Sequence, residues 1–238
     1  MKKIALLIIS ISFSLLSLGQ SQEMVEGDSV PWELRKQSFI YSSAKLFSDP
    51  LVAKMALYNL ISENPGNPTL YDSLAMIYIQ YNQNASAALV AQQSLSINPN
   101  NTFATEIAAT AFDNLGVKDK SVNFFEKLYL SSNDLNTLYK ISFLQFELKR
   151  FGEANSSLDI IIGDPESDNR YIGFPTTDGN GQDVSLKVAA HRVKAMIEEE
   201  KGNRDEAMTA YLEVLKMHPD FQIVQQQITE LRKAKDSE

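Results

Sequence analysis

Apolar residues recur every three or four positions along most of this chain, in paired segments of similar length that read as amphipathic helices. Three of these segments end at a proline, and each carries a small residue twelve positions before it. The pairs are Ala53 with Pro65, Ala87 with Pro99, and Ala207 with Pro219. The shared pattern predicts that one structural unit occurs several times in the chain.

The spacing between these units is nearly constant. The small position recurs at Ala53, Ala87, Ser121 and Ala154, which is a period of about 34 residues. A fixed period in this range is typical of a solenoid, in which each unit packs on its neighbours. Small residues suit the points where helices cross closely, while larger apolar residues fill the space between them.

The best copy of the unit spans 68–101 and carries Tyr71, Leu74, Ala75, Tyr78, Ala87 and Pro99. This pattern resembles the tetratricopeptide repeat, a helix–turn–helix unit with aromatic and small residues at these places. The resemblance implies an all-α, right-handed helical solenoid of about five helix pairs. The predicted repeats within 34–221 are 34–67, 68–101, 102–134, 135–165 and 188–221.

The turns and the C-terminal end fit this interpretation. Asn82, Gly116 and Gly202 fall between paired helices, where a residue in the left-handed conformation ends the first helix. Residues 222–238 are predicted to form a capping helix and tail. Phe221, Val224, Ile228 and Leu231 mark its single apolar face, as an open solenoid end requires for solubility.

One stretch departs from the helical pattern. The distance from Ala154 to Ala207 exceeds one repeat by more than half a repeat, and the excess contains "RYIGFP", "TTDGNGQ" and "DVSL". β-forming residues around Asp-Gly and Asn-Gly predict a β-hairpin inserted at 166–187. We expect it to pack on neighbouring helices through Tyr171, Ile172, Phe174 or Leu186. It is either a structural plug between repeats or a functional wall, lid or edge strand beside the binding surface.

The N-terminal residues read as a targeting signal. Lys2 and Lys3 precede a short apolar run, and Ser17 and Gly19 are small residues suited to cleavage, so 1–19 is predicted to be a signal peptide and 20–33 a lead-in. An uncleaved anchor is the alternative. The chain has no cysteine, which excludes disulfides. We expect an exported bacterial protein, periplasmic or secreted, with no integral membrane segment after cleavage.

The charge balance argues against two classes of partner. Acidic residues outnumber basic ones by 30 to 22 in the whole chain, and the difference grows once Lys2 and Lys3 are left out. Binding to nucleic acid or to anionic lipid needs clustered basic residues, so neither is expected, and an acidic, solvated surface is the simpler interpretation.

Catalytic chemistry is not predicted. His191 and His218 are far apart in the chain, and neither stands in a metal-binding spacing. No cysteine nucleophile, serine elbow or phosphate-binding loop occurs in the sequence. We therefore predict no metal, no cofactor and no enzymatic activity.

The family resemblance also implies a binding surface, because first helices of tetratricopeptide repeats line a concave groove. The predicted groove residues are Asp72, Met76, Ile79, Phe103, Glu106, Tyr139, Phe143 and Phe146. Aromatic and apolar side chains of this kind anchor interfaces. Alternatively, several are buried between repeats or covered by 20–33. Residues that grip a peptide carboxylate in some family members are largely missing here.

Two functions therefore remain open. The first is a non-enzymatic adaptor of the bacterial cell envelope that binds a peptide or protein in the groove. The second is a binding protein for a small molecule or glycan that uses the groove together with the hairpin, including Tyr171, Ile172 and Phe174.

Overall fold

The structure of the chain is a computed structural model, and it describes residues 30–177 and 179–236. These residues form eleven α-helices and two β-strands, with a 3-10 helix at Pro165–Asp168. The helices and strands are α1 (Trp32–Leu46), α2 (Pro50–Glu63), α3 (Pro68–Gln80), α4 (Asn84–Ile97), α5 (Thr102–Asn114), α6 (Lys118–Ser132), α7 (Leu135–Glu147), α8 (Phe151–Gly163), β1 (Tyr171–Pro175), β2 (Gly181–Ser185), α9 (Leu186–Glu200), α10 (Arg204–Met217) and α11 (Gln222–Asp236).

The helices are arranged as a right-handed solenoid of five antiparallel pairs, α1–α2 to α9–α10, followed by α11. This confirms the predicted fold, including the capping helix and the hairpin after the fourth pair. The division of the chain into signal peptide, lead-in, repeats and tail stays a prediction. Residues 1–29, which contain the predicted signal peptide and most of the lead-in, lie outside the described residues.

Polar side chains and prolines begin several of the helices. Asn67, Asn101 and Asp134 directly precede α3, α5 and α7, and each side chain accepts a hydrogen bond from a backbone N–H in the first turn. Pro50 and Pro68 stand at the first position of α2 and α3, where the missing N–H has no helical partner to lose.

The turns inside the pairs adopt left-handed backbone conformations. Asn82, Gly116 and Gly202 have φ values of 55°, 72° and 84°, which confirms the prediction from sequence. Ser48 and Lys149 take the same conformation in the first and fourth pairs, with φ values of 56° and 60°. Neither was predicted, because these residue types rarely favour this region and the pair geometry overrides the preference.

Small residues lie where the helices cross. Ala53, Ala87, Ala154 and Ala207 are at most 2% exposed. Ser121 takes the same place in the third pair, where its hydroxyl donates to the Ala109 carbonyl oxygen at 3.0 Å. The periodic small residues therefore mark helix crossings, as the sequence pattern predicts.

The capping helix α11 covers the end of the fifth pair. Phe221, Val224, Ile228 and Leu231 are buried in one core cluster with Ala207, Tyr211 and Val214. The other side of the helix carries polar residues, of which Gln225, Gln226, Thr229 and Glu230 are exposed. This polar outer face confirms the predicted amphipathic cap.

The hairpin packs on the last repeats. β1 and β2 are antiparallel, with Tyr171 opposite Ser185 and Pro175 opposite Gly181. Ile172, Phe174 and Leu186 pack against the core, as predicted, whereas Tyr171 is exposed. The Gln182 side chain links the hairpin to the start of α11, since its Nε2 donates to the Asp220 carbonyl at 2.7 Å and its Oε1 accepts from Gln222 N at 3.2 Å.

Among the described residues, no helix has both the length and the apolar character that crossing a membrane requires.

Candidate functional site

The concave side of the solenoid contains an open cleft between its first helices. The cleft has a volume of about 410 Å³. Its lining residues come from α1, α3 and α5 and are Tyr41, Lys45, Thr69, Asp72, Ser73, Met76, Ile77, Gln80 and Phe103. Three of the eight predicted groove residues, Asp72, Met76 and Phe103, are among them. We call this region the α1–α3–α5 cleft.

Phe103 and Met76 give the cleft its apolar character. Phe103 is 40% exposed near the start of α5, so a large part of its ring is available to a ligand. Met76 is half-buried and packs on the core between the second and third pairs. A flexible methionine beside an exposed aromatic ring is a surface that adapts to apolar side chains of a partner.

Asp72 has a structural role that its sequence position does not reveal. Its carboxylate accepts hydrogen bonds from Ser94 Oγ at 2.6 Å and from Asn101 Nδ2 at 3.0 and 2.8 Å. Asn101 also caps α5. Asp72 therefore ties α3 to the α4–α5 junction while it lines the cleft.

Two more predicted groove residues lie outside the cleft lining. Glu106 is exposed on α5. Ile79 is half-buried against the core cluster that contains Ala75 and Ile107. Most of the Ile79 side chain therefore contacts protein.

The predicted groove residues of α7 are largely packed. Tyr139 is 8% exposed, and Phe143 and Phe146 are half-buried against the core of the fourth pair. The ring centroid of Phe146 lies 6.0 Å from that of Phe143 and 6.3 Å from that of Phe151. These three rings form a cluster that contributes to packing as well as to the concave surface.

The hairpin packs on α9 and on the core of the fourth pair. The Phe174 ring lies under the Arg192 guanidinium, 5.5 Å from ring centroid to Cζ, and meets Phe221 edge-on at 4.9 Å. Arg192 Nε donates to Gln227 Oε1 of α11 at 2.9 Å. The elements β1, α9 and α11 therefore meet at Arg192.

Burial around Arg192 shifts two pKa values. Desolvation raises the pKa of Tyr139, and the neighbouring Arg192 guanidinium lowers it in part. Desolvation also lowers the pKa of Arg192, although nearby tyrosines and Glu199 favour its charged form. Arg192 remains a cation at neutral pH.

Ion pairs join the third and fourth helix pairs. Lys140 Nζ lies 2.7 Å from Asp113 Oδ2, and Lys118 Nζ lies 2.6 Å from Glu147 Oε1. Part of the acidic surface expected from the sequence is therefore neutralised by ion pairs between repeats.

Several cleft residues were missed from the sequence. Ser73, Ile77 and Gln80 lie on the side of α3 that faces α1, between the positions that usually contact ligands in the family. Tyr41 of α1, a further lining residue, is not among the predicted groove residues either. The cleft is lined by three helices, so positions read from single helices identify only part of it.

The histidines and acidic side chains of the described residues do not form a metal site. Within residues 30–177 and 179–236, no group of three or more His, Asp or Glu side chains could hold a metal ion. His191 is half-buried, and desolvation is the largest cause that lowers its pKa. His218 Nε2 lies 3.2 Å from Gln182 Nε2, and its ring meets Phe221 edge-on.

Comparison with known proteins agrees with the fold. Residues 193–221 match the family model described as tetratricopeptide repeat. A tetratricopeptide repeat protein from Parabacteroides merdae is 18% identical with a TM-score of 0.62, over 84% of this chain and 73% of that chain. A search of curated protein sequences found no match.

Structures of MamA are also similar. One is 14% identical with a TM-score of 0.58, over 77% of this chain and 91% of that chain. MamA from Desulfovibrio magneticus, residue 41 to the end, is 11% identical with a TM-score of 0.58, over 81% and 99%. At identities this low, the similarity in structure shows a common fold and nothing more.

Residues 193–221 thus match one tetratricopeptide repeat, and the chain has the fold of tetratricopeptide-repeat proteins, in agreement with the resemblance seen in the sequence. Proteins of this family are generally non-catalytic scaffolds that bind protein partners.

Proposed function

We propose that this chain is a non-enzymatic interaction module that binds a peptide or an extended protein segment in the α1–α3–α5 cleft. The observation that carries the proposal is the partly exposed Phe103 ring beside Met76 in an open concave cleft. An apolar side chain of the ligand would contact Phe103 and Met76, while Lys45, Thr69 and Gln80 offer hydrogen bonds at the edges.

We further propose that the protein is exported and acts in the bacterial cell envelope, in the periplasm or after secretion. Support comes from the N-terminal sequence, in which Lys2 and Lys3 precede a short apolar run and small residues suited to cleavage. The N-terminus of the protein isolated from its source, determined by mass spectrometry, tests this. A chain that begins near Gln20 supports export through a cleaved signal, and one that retains Met1 in the soluble cell interior contradicts it.

The alternative, a binding protein for a small molecule or glycan, is less well supported. Such ligands are usually enclosed in a cavity that covers most of their surface. The α1–α3–α5 cleft is open to solvent, and the polar depression between the hairpin turn and α11 is open as well. An open cleft suits a peptide, whose main chain continues past the pocket.

The test is a selection of peptides from a displayed library, followed by calorimetric titration of the best binder. Phe103→Glu should weaken binding at least ~10-fold, because it places a charge on the proposed apolar contact. Leu89→Glu is the matched control, since Leu89 is an exposed leucine on α4 outside the cleft. Equal binding by both variants would place the ligand elsewhere.

A further inference from the structure

The first helix carries an apolar surface that no described residue covers. Trp32, Phe39 and Leu46 occupy every seventh position, so they lie along one side of α1, while Gln37 and Ala44 face the core on the other side. Trp32, Phe39 and Leu46 are 70%, 73% and 78% exposed, and Phe47 directly after the helix is 77% exposed. We call Trp32, Phe39, Leu46 and Phe47 the α1 stripe.

The two ends of the solenoid differ sharply. At the C-terminal end, α11 covers the last pair and presents Gln225, Gln226 and Thr229 to solvent. At the N-terminal end, the described chain begins at Val30 and has no helix before α1. An uncovered repeat end needs either a polar face or a partner, and the α1 stripe is apolar.

The size of the stripe fits a protein interface. A covered aromatic side chain buries about 150–250 Å², so Trp32, Phe39 and Phe47 together offer roughly 450 Å². That is more than half of the about 800 Å² that each partner contributes to a standard interface. Leu46 and the aliphatic stems of Arg35 and Lys36 supply part of the remainder.

The charges favour a second copy of the same chain. The protein is acidic overall, with a net charge of −8, yet α1 carries Arg35, Lys36 and Lys45 against Glu33. Contact through α1 therefore avoids most of the repulsion between two acidic molecules. The stripe is also self-complementary, because a two-fold axis at Phe39 places Trp32 opposite Leu46 of the second copy.

The positions of the charges on α1 also favour one direction of pairing. In an antiparallel pair, Lys36 lies nearest Ser43 of the second copy and Arg35 nearest Ser42. In a parallel pair, Lys36 would face Arg35 of the second copy, and like charges opposite each other are unfavourable. From the exposure, area and charge of the stripe, we infer that the chain forms an antiparallel, two-fold dimer through α1.

Sedimentation velocity of the full chain, expressed from its own start so that the host removes any leader, measures the assembly. Over about 1–100 μM, the range expected for an interface of this size, the monomer should give way to a dimer. Phe39→Glu should raise the dissociation constant about 100-fold. Leu130→Glu is the matched control, because Leu130 is 80% exposed on α6.

Three outcomes overturn the inference: a monomer throughout the concentration range, a dimer that Phe39→Glu leaves intact, or equal weakening by Leu130→Glu. Circular dichroism of each variant checks that the fold is retained. Phe39 is exposed, so Phe39→Glu should melt within a few degrees of the parent chain.

Disulfide trapping tests the direction of pairing without interference, because the chain has no cysteine of its own. A mixture of Lys36→Cys and Ser43→Cys proteins should form a disulfide-linked dimer under mild oxidation, while a mixture of Lys36→Cys and Arg35→Cys should form little. Efficient linking of the second mixture contradicts the antiparallel arrangement.

The α1 stripe shares no residue with the α1–α3–α5 cleft, so dimer formation and peptide binding can fail independently.

Discussion

Asp72 occupies a position that the family resemblance assigns to ligand contact, and its contacts connect it to the next repeat. Its carboxylate joins Ser94 and Asn101, and the Asn101 side chain also accepts a hydrogen bond from the Ala104 N–H at the start of α5. One side chain can therefore line the cleft and fix the angle between two helix pairs. Sequence position alone does not separate these roles, because the partners of Asp72 come from α4 and from the start of α5.

Asn101→Ala should lower the free energy of unfolding by about 1–2 kcal/mol, because it removes a helix cap and the hydrogen bonds to Asp72. Urea denaturation followed by circular dichroism measures this change. Asn100→Ala is the control, since Asn100 is exposed, and it should change stability by less than about 0.5 kcal/mol. Equal effects of the two variants would show that the Asp72–Asn101 contact contributes little.

At the scale of elements, the sequence predicted which segments form helices and strands, but not always which residues pack against them. The period of small residues and prolines predicted the five pairs, and Asp-Gly and Asn-Gly predicted the hairpin turn. Successive side chains along β1 point to opposite faces of the hairpin, yet this alternation does not tell which face packs on the solenoid. That choice depends on contacts of Phe174 with Arg192 of α9 and with Phe221 before α11, both of which follow the hairpin in the chain.

The same limit applies to the groove. Tyr139 occupies a position that usually faces an open groove, but here it is 8% exposed and Arg192 of α9, which follows the hairpin insertion, lies beside it. Family positions assume uninterrupted repeats, so an insertion changes the surroundings of residues in the preceding pair. The N-terminal half, which has no insertion, keeps its cleft open.

Phe174→Ala and Tyr171→Ala compare the two faces of β1. Phe174 packs between Arg192 and Phe221, so its loss should cost about 2 kcal/mol, less than a fully buried phenylalanine because it is only half-buried. Tyr171 is exposed, and its replacement should cost less than about 0.5 kcal/mol. Thermal unfolding measures both, and a larger effect at Tyr171 would show that the hairpin packs by its other face.

The whole molecule is a row of units in which each pair packs mainly on its neighbours. In the part of the chain that the structure describes, most buried apolar residues belong to four clusters along the row. Stability in such a protein is local, so damage at one end should spread only as far as the contacts between neighbours carry it.

Ile228→Asp tests this at the C-terminal cap. Ile228 is buried in the last cluster, and burying a carboxylate there is unfavourable. The amides of α9–α11 should therefore lose their protection against hydrogen exchange. Protection of α3–α6 should persist. Thr229→Asp is the matched control on the exposed side of α11 and should leave the exchange pattern unchanged. Loss of protection along the whole chain in Ile228→Asp would indicate a single cooperative unit.

The meeting of α7, α9, α11 and the hairpin at Arg192 also has a consequence for the order in which the protein is completed during synthesis. The first three pairs can close their cores as they emerge, because their contacts are with adjacent segments. Tyr139 stays uncovered until Arg192 has appeared, and Arg192 bonds to Gln227 in α11, the last helix of the chain. The last two pairs therefore reach their final packing only when nearly the whole polypeptide has been released, or has crossed the membrane if it is exported.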